Sequence, residues 1–224
     1  MNIAVEYFDN NVIIENEKVS SIEIENFTYF YKFVSDLIAV SKSEITDKIL
    51  FYEGLKEINL SGKINVIIDW FNIDDVLKKY STGLIKYISN NIIETEKAKV
   101  ITKYSSFVDL VSKKIMVSDI DLDFNFDISF ENIIKSLKIS INKKDNLLSN
   151  IMLIIDLEKE LKQSKILFFI NVKQLLNKIE IEEICKYALY NEINICFVDS
   201  QAYGGCNKYE RKLIIDEELY ELMI

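Results

Sequence analysis

Apolar and polar residues change their spacing several times along the chain, and each change marks an element. Val19 to Glu25 (VSSIEIE) ends in an apolar–acidic alternation, the period of a strand with one buried face. From Asn26 the apolar positions Phe30, Phe33, Val34, Leu37 and Ile38 fall on one helical stripe. Ile64 to Asp69 (INVIID) is a short apolar run suited to a strand covered on both faces. The pattern then becomes long and helical from Asn72 to Val117, with Asp74 and Asp75 near its start, where negative charge complements the helix dipole. Gly83 and the stretch 95–97 are the expected places for a break. Asp119 to Phe126 alternates again as a strand. Helices are expected over Phe130 to Leu137 and Leu147 to Leu161.

The last seventy-five residues carry the plainest pattern. Ile166 to Val172 (ILFFINV) reads as a buried strand, and Ile193 to Asp199 as another. Between them, Ile181, Ile184, Cys185, Ala188 and Leu189 recur at i, i+3, i+4, i+7 and i+8, the spacing of an amphipathic helix. Its Glu182 and Lys186 form a favourable i, i+4 pair. Strand, helix, strand makes a βαβ unit, so these two strands should be parallel. Leu213 to Asp216 supplies a final short strand. The pattern thus predicts an α/β protein with a largely parallel sheet. Residues 1–71 and 151–224 are expected to form one discontinuous α/β domain, interrupted by a mostly helical excursion over 72–150.

Composition narrows the chemistry. A chain of 224 residues, 49% apolar, can bury one large core or two small ones. It contains no histidine, which excludes Ser-His-Asp and Cys-His catalysis and every His-ligated zinc site. It has no proline, and five glycines with no GxxxxGK[ST], so nucleotide hydrolysis on a phosphate loop has little support. The net charge is −9 and Arg211 is the single arginine, which leaves almost no guanidinium readout of bases. Any DNA contact must rest on lysines and phosphates. The cysteines, Cys185, Cys196 and Cys206, are odd in number and outside any CxxC, which suits core positions in a reducing cytoplasm. The opening MNIAVEYFDNN lacks the basic and apolar regions of a signal peptide, and no apolar run approaches a membrane span.

Four features are candidates for chemistry. Asp119, Asp121, Asp123, Asp127 and Glu131 crowd into thirteen residues without a lysine. On a strand, 119, 121 and 123 share a face at about 7 Å spacing. Such carboxylates need solvent or a bridging cation, and oxygen ligands suit calcium or magnesium. An EF-hand is excluded, because its sixth position is Phe124 and its twelfth Phe130. The alternatives are a solvated face, with Asp127 capping the next helix, or a two-ion phosphoryl-transfer site. Lys135, Lys138, Lys143 and Lys144 form a basic cluster, either ordinary surface or DNA contacts. Asp69 and Asp199 each end a strand, as polar residues leaving the sheet. Ser200 to Gly205 (SQAYGG) reads as a flexible loop, with substrate contact as the alternative.

A resemblance adds to this reading. Phe169-Ile-Asn-Val-Lys173, Lys186-Tyr-Ala-Leu-Tyr-Asn191, Cys196-Phe-Val-Asp-Ser200 and Glu210 to Leu222 (ERKLIIDEELYEL) are similar to successive motifs of the accessory spacer-acquisition protein of type II-A CRISPR–Cas systems. Glu23-Ile-Glu-Asn26 with Phe30, and Leu60-Ser-Gly-Lys63 through Asp69 and Phe71, resemble its N-terminal half. The resemblance implies a head related to P-loop ATPases without a working phosphate loop, and a helical leg. It also implies a non-catalytic, cytoplasmic, homotetrameric ring that threads linear double-stranded DNA without sequence preference. The expected partners are the adaptation integrase and the interference nuclease. It implies calcium on an acidic stretch before a KSL-containing helix, here Asp119 to Glu131 before Lys135-Ser-Leu137. The rival readings are a metal-dependent nuclease using Asp119, Asp121 and Asp123, and an interaction scaffold without DNA contact.

Overall fold

The computed structural model describes residues 1–44, 46–117 and 129–224. In chain order the elements are β1 (Asn2–Val5), β2 (Val12–Ile13), β3 (Val19–Ile24), α1 (Phe27–Ser41), β4 (Ile49–Glu53), β5 (Lys56–Ile58) and β6 (Ile64–Ile67). Helices α2 (Ile73–Asn91), α3 (Glu94–Met116), α4 (Phe130–Ser136) and α5 (Leu147–Leu161) follow. The chain then forms β7 (Ile166–Ile170), α6 (Lys178–Tyr190), β8 (Ile195–Asp199), β9 (Glu210–Ile215) and β10 (Glu221–Met223). Two compact units result, one from 1–76 with 143–224 and the other from 77–142.

The first unit holds two sheets. The larger has strand order β10-β9-β3-β8-β7-β6, parallel throughout except for the antiparallel edge β10. The smaller, β2-β1-β4-β5, is antiparallel. Strands β7 and β8 are buried along their whole length, which is why their sequences are unbroken apolar runs. They lie side by side and parallel, as the βαβ pattern requires. Helix α1 starts at Asn26, whose side chain accepts from the amides of Thr28 and Tyr29. It buries Phe33, Val34, Leu37 and Val40 in a core shared with Ile22, Ile24, Phe168, Cys196, Val198, Leu213 and Ile215 of the large sheet. The small sheet adds Ile3, Val5, Ile49 and Phe51 to the same core.

Side chains alternate across a strand, so the residues between these point to the other face. That face carries Ser21, Glu23, Phe169, Phe197, Asp199, Glu210 and Lys212. It is also covered: Glu23, Asp199, Glu210 and Lys212 are all buried, and the β3 strand is buried at every position. The alternation in VSSIEIE therefore does not mark a solvent face. The acidic position is inside because opposite charges meet it there. Helix α6 lies alongside β3 and α5. Its start is fixed by a capping box in which Asn177 and Glu180 satisfy each other's backbone amides.

The second unit contains α3, α4 and most of α2, with Tyr80, Val108, Phe130 and Ile134 buried. Gly83 does not break α2; the helix runs through it and the chain turns at 92–93 instead. The 95–97 stretch lies in the first turn of α3, where Glu94 and Glu96 meet the helix dipole. Helix α4 is capped by Ser129, whose hydroxyl accepts from the Asn132 amide. The C-terminal strand is longer than the expected Leu213 to Asp216, and turns back through β10.

Candidate functional site

The covered face of the large sheet converges on a buried ionic cluster. Lys173 follows β7, at the start of a short 3-10 turn, and the residue is only 3% exposed. Its Nζ lies 2.7 Å from Glu210 Oε1 and 3.5 Å from Glu23 Oε1, and donates to Ser21 Oγ at 2.6 Å. It also stands 5.1 Å from the centre of the Phe197 ring. Lys212, opposite Ser21 in the β3–β9 register, places its Nζ 2.6 Å from Glu23 Oε1 and donates to the Gly205 carbonyl at 2.7 Å. Glu23 Oε2 accepts from the Tyr203 amide at 3.2 Å. Glu210 Oε2 accepts from Asn207 Nδ2 at 2.7 Å.

Asp199 completes the group from the end of β8, directly across from Glu23. It is fully buried, and neither carboxylate oxygen accepts a hydrogen bond. Burial raises its pKa to about 7; Lys173 opposes the rise, and Glu23 adds to it. The backbone amide of Lys173 also favours the ionised form as a nearby dipole, without hydrogen-bond geometry. For Lys173, burial alone would lower the pKa, but Glu210, Asp199 and Glu23 outweigh it and hold the ammonium above its ordinary value.

The Ser21–Lys173 contact has the residue types of a nucleophile and its base. The chemistry does not follow, because an ammonium held charged by carboxylates cannot take a proton, and Ser21 is 1% exposed. The cluster holds the sheet face and the loop above it. Cys185 and Cys196 are buried, and burial pushes the Cys185 thiol up to about 12. These two are core residues, as their sequence setting implies.

The other sequence candidates fall elsewhere. Asp69 is exposed, and its Oδ1 accepts from the amides of Phe71 and Asn72, so it turns the chain into α2. Asp199 is the opposite case. It stays inside the sheet rather than leaving it, which corrects the common reading of the two. Asp119, Asp121, Asp123 and Asp127 lie outside the described residues, and the expected Asp127 cap with them. Glu131 is exposed in the first turn of α4. Among the described residues, no three metal-binding side chains are grouped to hold an ion. Lys135 and Lys138 are exposed in the second unit; Lys143 and Lys144 are exposed in the first. Lys143 pairs with Asp74 at 2.7 Å, both about half exposed. Among the described residues, no helix is long and apolar enough to cross a membrane.

Sequence reasoning misses Lys173 and Lys212 as partners of Glu23, and Glu210 as a partner of Lys173. A signal exists: charged residues of opposite sign stand inside two apolar strand patterns, VSSIEI and ERKLII. What joins them is the β3–β9 register, which no local pattern contains.

A parallel α/β sheet with a sealed ionic face and a helical second unit defines a class rather than an activity. Comparison with known proteins is more specific. The family model described as CRISPR-associated protein (Cas_Csn2) matches residues 41–219, and the chain belongs to that family, the accessory proteins of type II-A CRISPR systems. The fold is similar to the crystal structure of Stu0660 of Streptococcus thermophilus, with a TM-score of 0.64 at 11% identity, over 96% of this chain and 75% of that one. A putative ABC transporter ATP-binding protein from Pyrococcus furiosus aligns at a TM-score of 0.40 and 12% identity, over 95% of this chain and 97% of that one, too low to carry an argument.

Proposed function

We propose that this protein binds the ends of linear double-stranded DNA without sequence preference, as a non-catalytic homotetrameric ring, and so supports spacer acquisition in type II-A CRISPR–Cas immunity. The observation that carries the reading is the family match over residues 41–219. The charge inventory supports it. Arg211 is engaged with Glu15, so lysine–phosphate contacts are the available mode, and those read no sequence. Lys135, Lys138, Lys143 and Lys144 are exposed and serve as the proposed contacts. Helix α3 leaves Val100, Phe107 and Leu110 exposed, apolar surface of the kind a second copy of the chain covers.

Calcium belongs to the same reading. Asp119, Asp121, Asp123, Asp127 and Glu131 offer only carboxylate oxygens, a donor set that suits it. The ion offsets part of the −9 charge that otherwise repels DNA. The adaptation integrase and the interference nuclease are the proposed partners, in the cytoplasm.

The test is native mass with and without calcium, together with affinity for linear and covalently closed circular DNA of one sequence. A calcium-stabilised tetramer that prefers the linear form is expected. Equal affinity for both forms would point to an open surface patch instead of a ring. Cleavage in magnesium or manganese would favour the phosphoryl-transfer alternative.

A further inference from the structure

Loop 200–207 is anchored on the members of the ionic cluster. The Tyr203 amide donates to Glu23, the Gly205 carbonyl accepts from Lys212, and the Asn207 side-chain amide donates to Glu210. At the root of the loop, the Ser200 amide donates to Asn171 Oδ1 at 2.9 Å. Gly204 and Gly205 sit at φ 51° and 65°, left-handed values that let the chain fold back over the sheet. Asp199, immediately before the loop, is the cluster carboxylate with no hydrogen bond on either oxygen.

The groups that face Asp199 come from every neighbouring element. Lys173 stands after β7, Glu23 on β3, Glu210 on β9 and Tyr203 on the loop, while Cys196, on its own strand, lies on the opposite face of the sheet. Lys212 on β9 is already taken by Glu23, and from α6 Cys185 faces Glu210 with an uncharged thiol. The charge count then depends on one proton. With Asp199 protonated, Glu23 and Glu210 balance Lys173 and Lys212. With Asp199 ionised, one negative charge is left over in a fully buried setting, where an uncompensated ion is costly.

We propose that Asp199 is a proton-operated latch: protonated, it lets the cluster close and hold loop 200–207; ionised, it draws water into the cluster and frees the anchors at Glu23 and Lys212. The altered surface is the loop at the C-terminal end of the β8 strand, where α/β sheets expose their binding groups. Burial, acting against Lys173 and with Glu23, moves the carboxyl from 3.8 to about 7, so the latch works near neutral pH. The folded chain holds this proton more tightly than the unfolded one. Its contribution to stability is complete below 3.8, declines as pH rises to about 7, and is gone above.

Hydrogen exchange of the 200–207 peptide in the intact protein tests the latch, one pH unit below and one above the Asp199 value, with rates corrected for intrinsic exchange. Protection in the unaltered protein is expected to fall by about tenfold, following the change in ionised fraction. In Asp199→Asn, which keeps the shape but cannot ionise, protection should be equal at both pH values. An equal fall in both proteins, or none in the unaltered one, would overturn the proposal. Infrared spectroscopy of the unaltered protein provides a check that needs no variant. Exposed carboxylates are ionised one unit below pH 7, so a protonated-carboxyl band there, lost one unit above, is expected; its absence would equally overturn the latch.

Discussion

At the scale of single residues, the weight falls on Lys173. Its ammonium faces all three acids of the cluster, at 2.7 Å from Glu210, 3.5 Å from Glu23, and within Coulombic reach of Asp199. A buried pair need not be more stabilising than an apolar replacement, but removing one partner strands the other without water. Lys173→Met should therefore cost about 3–5 kcal/mol in urea unfolding. Lys173→Met combined with Glu210→Gln should cost less than the single change, because the stranded charge is gone. A double variant no milder than the single would mean that the two groups are not coupled. By contrast, the exposed Glu182–Lys186 pair at 2.8 Å is a helix-surface contact, and its removal should be hard to measure.

At the scale of elements, the helix that roofs the ionic face depends on its first turn. Asn177 accepts from the amides of Ile179 and Glu180, and Glu180 returns a bond to the Asn177 amide. Asn177→Ala should destabilise the protein by about 1 kcal/mol, read from the shift in denaturation midpoint at constant slope. Most helices are legible in the sequence for the same local reason: caps at Asn26, Asn146 and Asn177 precede stripes of apolar residues. The break expected at Gly83 is absent because glycine costs only about 1 kcal/mol relative to alanine in a helix interior, too little to end one that packs. The small sheet of β1, β2, β4 and β5 is barely legible. Its strands are two to five residues long, shorter than any periodicity can establish.

At the scale of the whole molecule, the DNA-binding reading makes charge predictions. Removing Lys135 and Lys138 together should lower the slope of log affinity against log salt by about two units, one for each ammonium that no longer neutralises a phosphate. An unchanged slope would move the binding surface elsewhere. Lys143 gives a sharper test, because Asp74 competes with phosphate for its ammonium. Asp74→Asn should tighten DNA binding in low salt while leaving folding stability nearly unchanged, since the half-exposed pair is worth less than about 1 kcal/mol. If the proposed calcium site exists, calcium should raise the melting temperature, because a site assembled by folding binds only the folded chain. Asp121→Asn with Asp123→Asn should abolish that rise and weaken the proposed tetramer; a double variant with an intact calcium response would put the ion at other residues.

The sequence by itself determined the α/β class, the parallel βαβ unit from 166 to 199, the long helical stretch and the family, because these rest on local spacing and contiguous motifs. It also removed histidine chemistry and guanidinium readout, because those depend on residue types alone. Tertiary structure decided the rest. Glu23, Lys173 and the 199–212 stretch with Asp199, Glu210 and Lys212 are far apart along the chain, and nothing local pairs their charges. Only the order β9-β3-β8-β7, with its registers, sets them on one buried face, where charge must be matched because water cannot reach it.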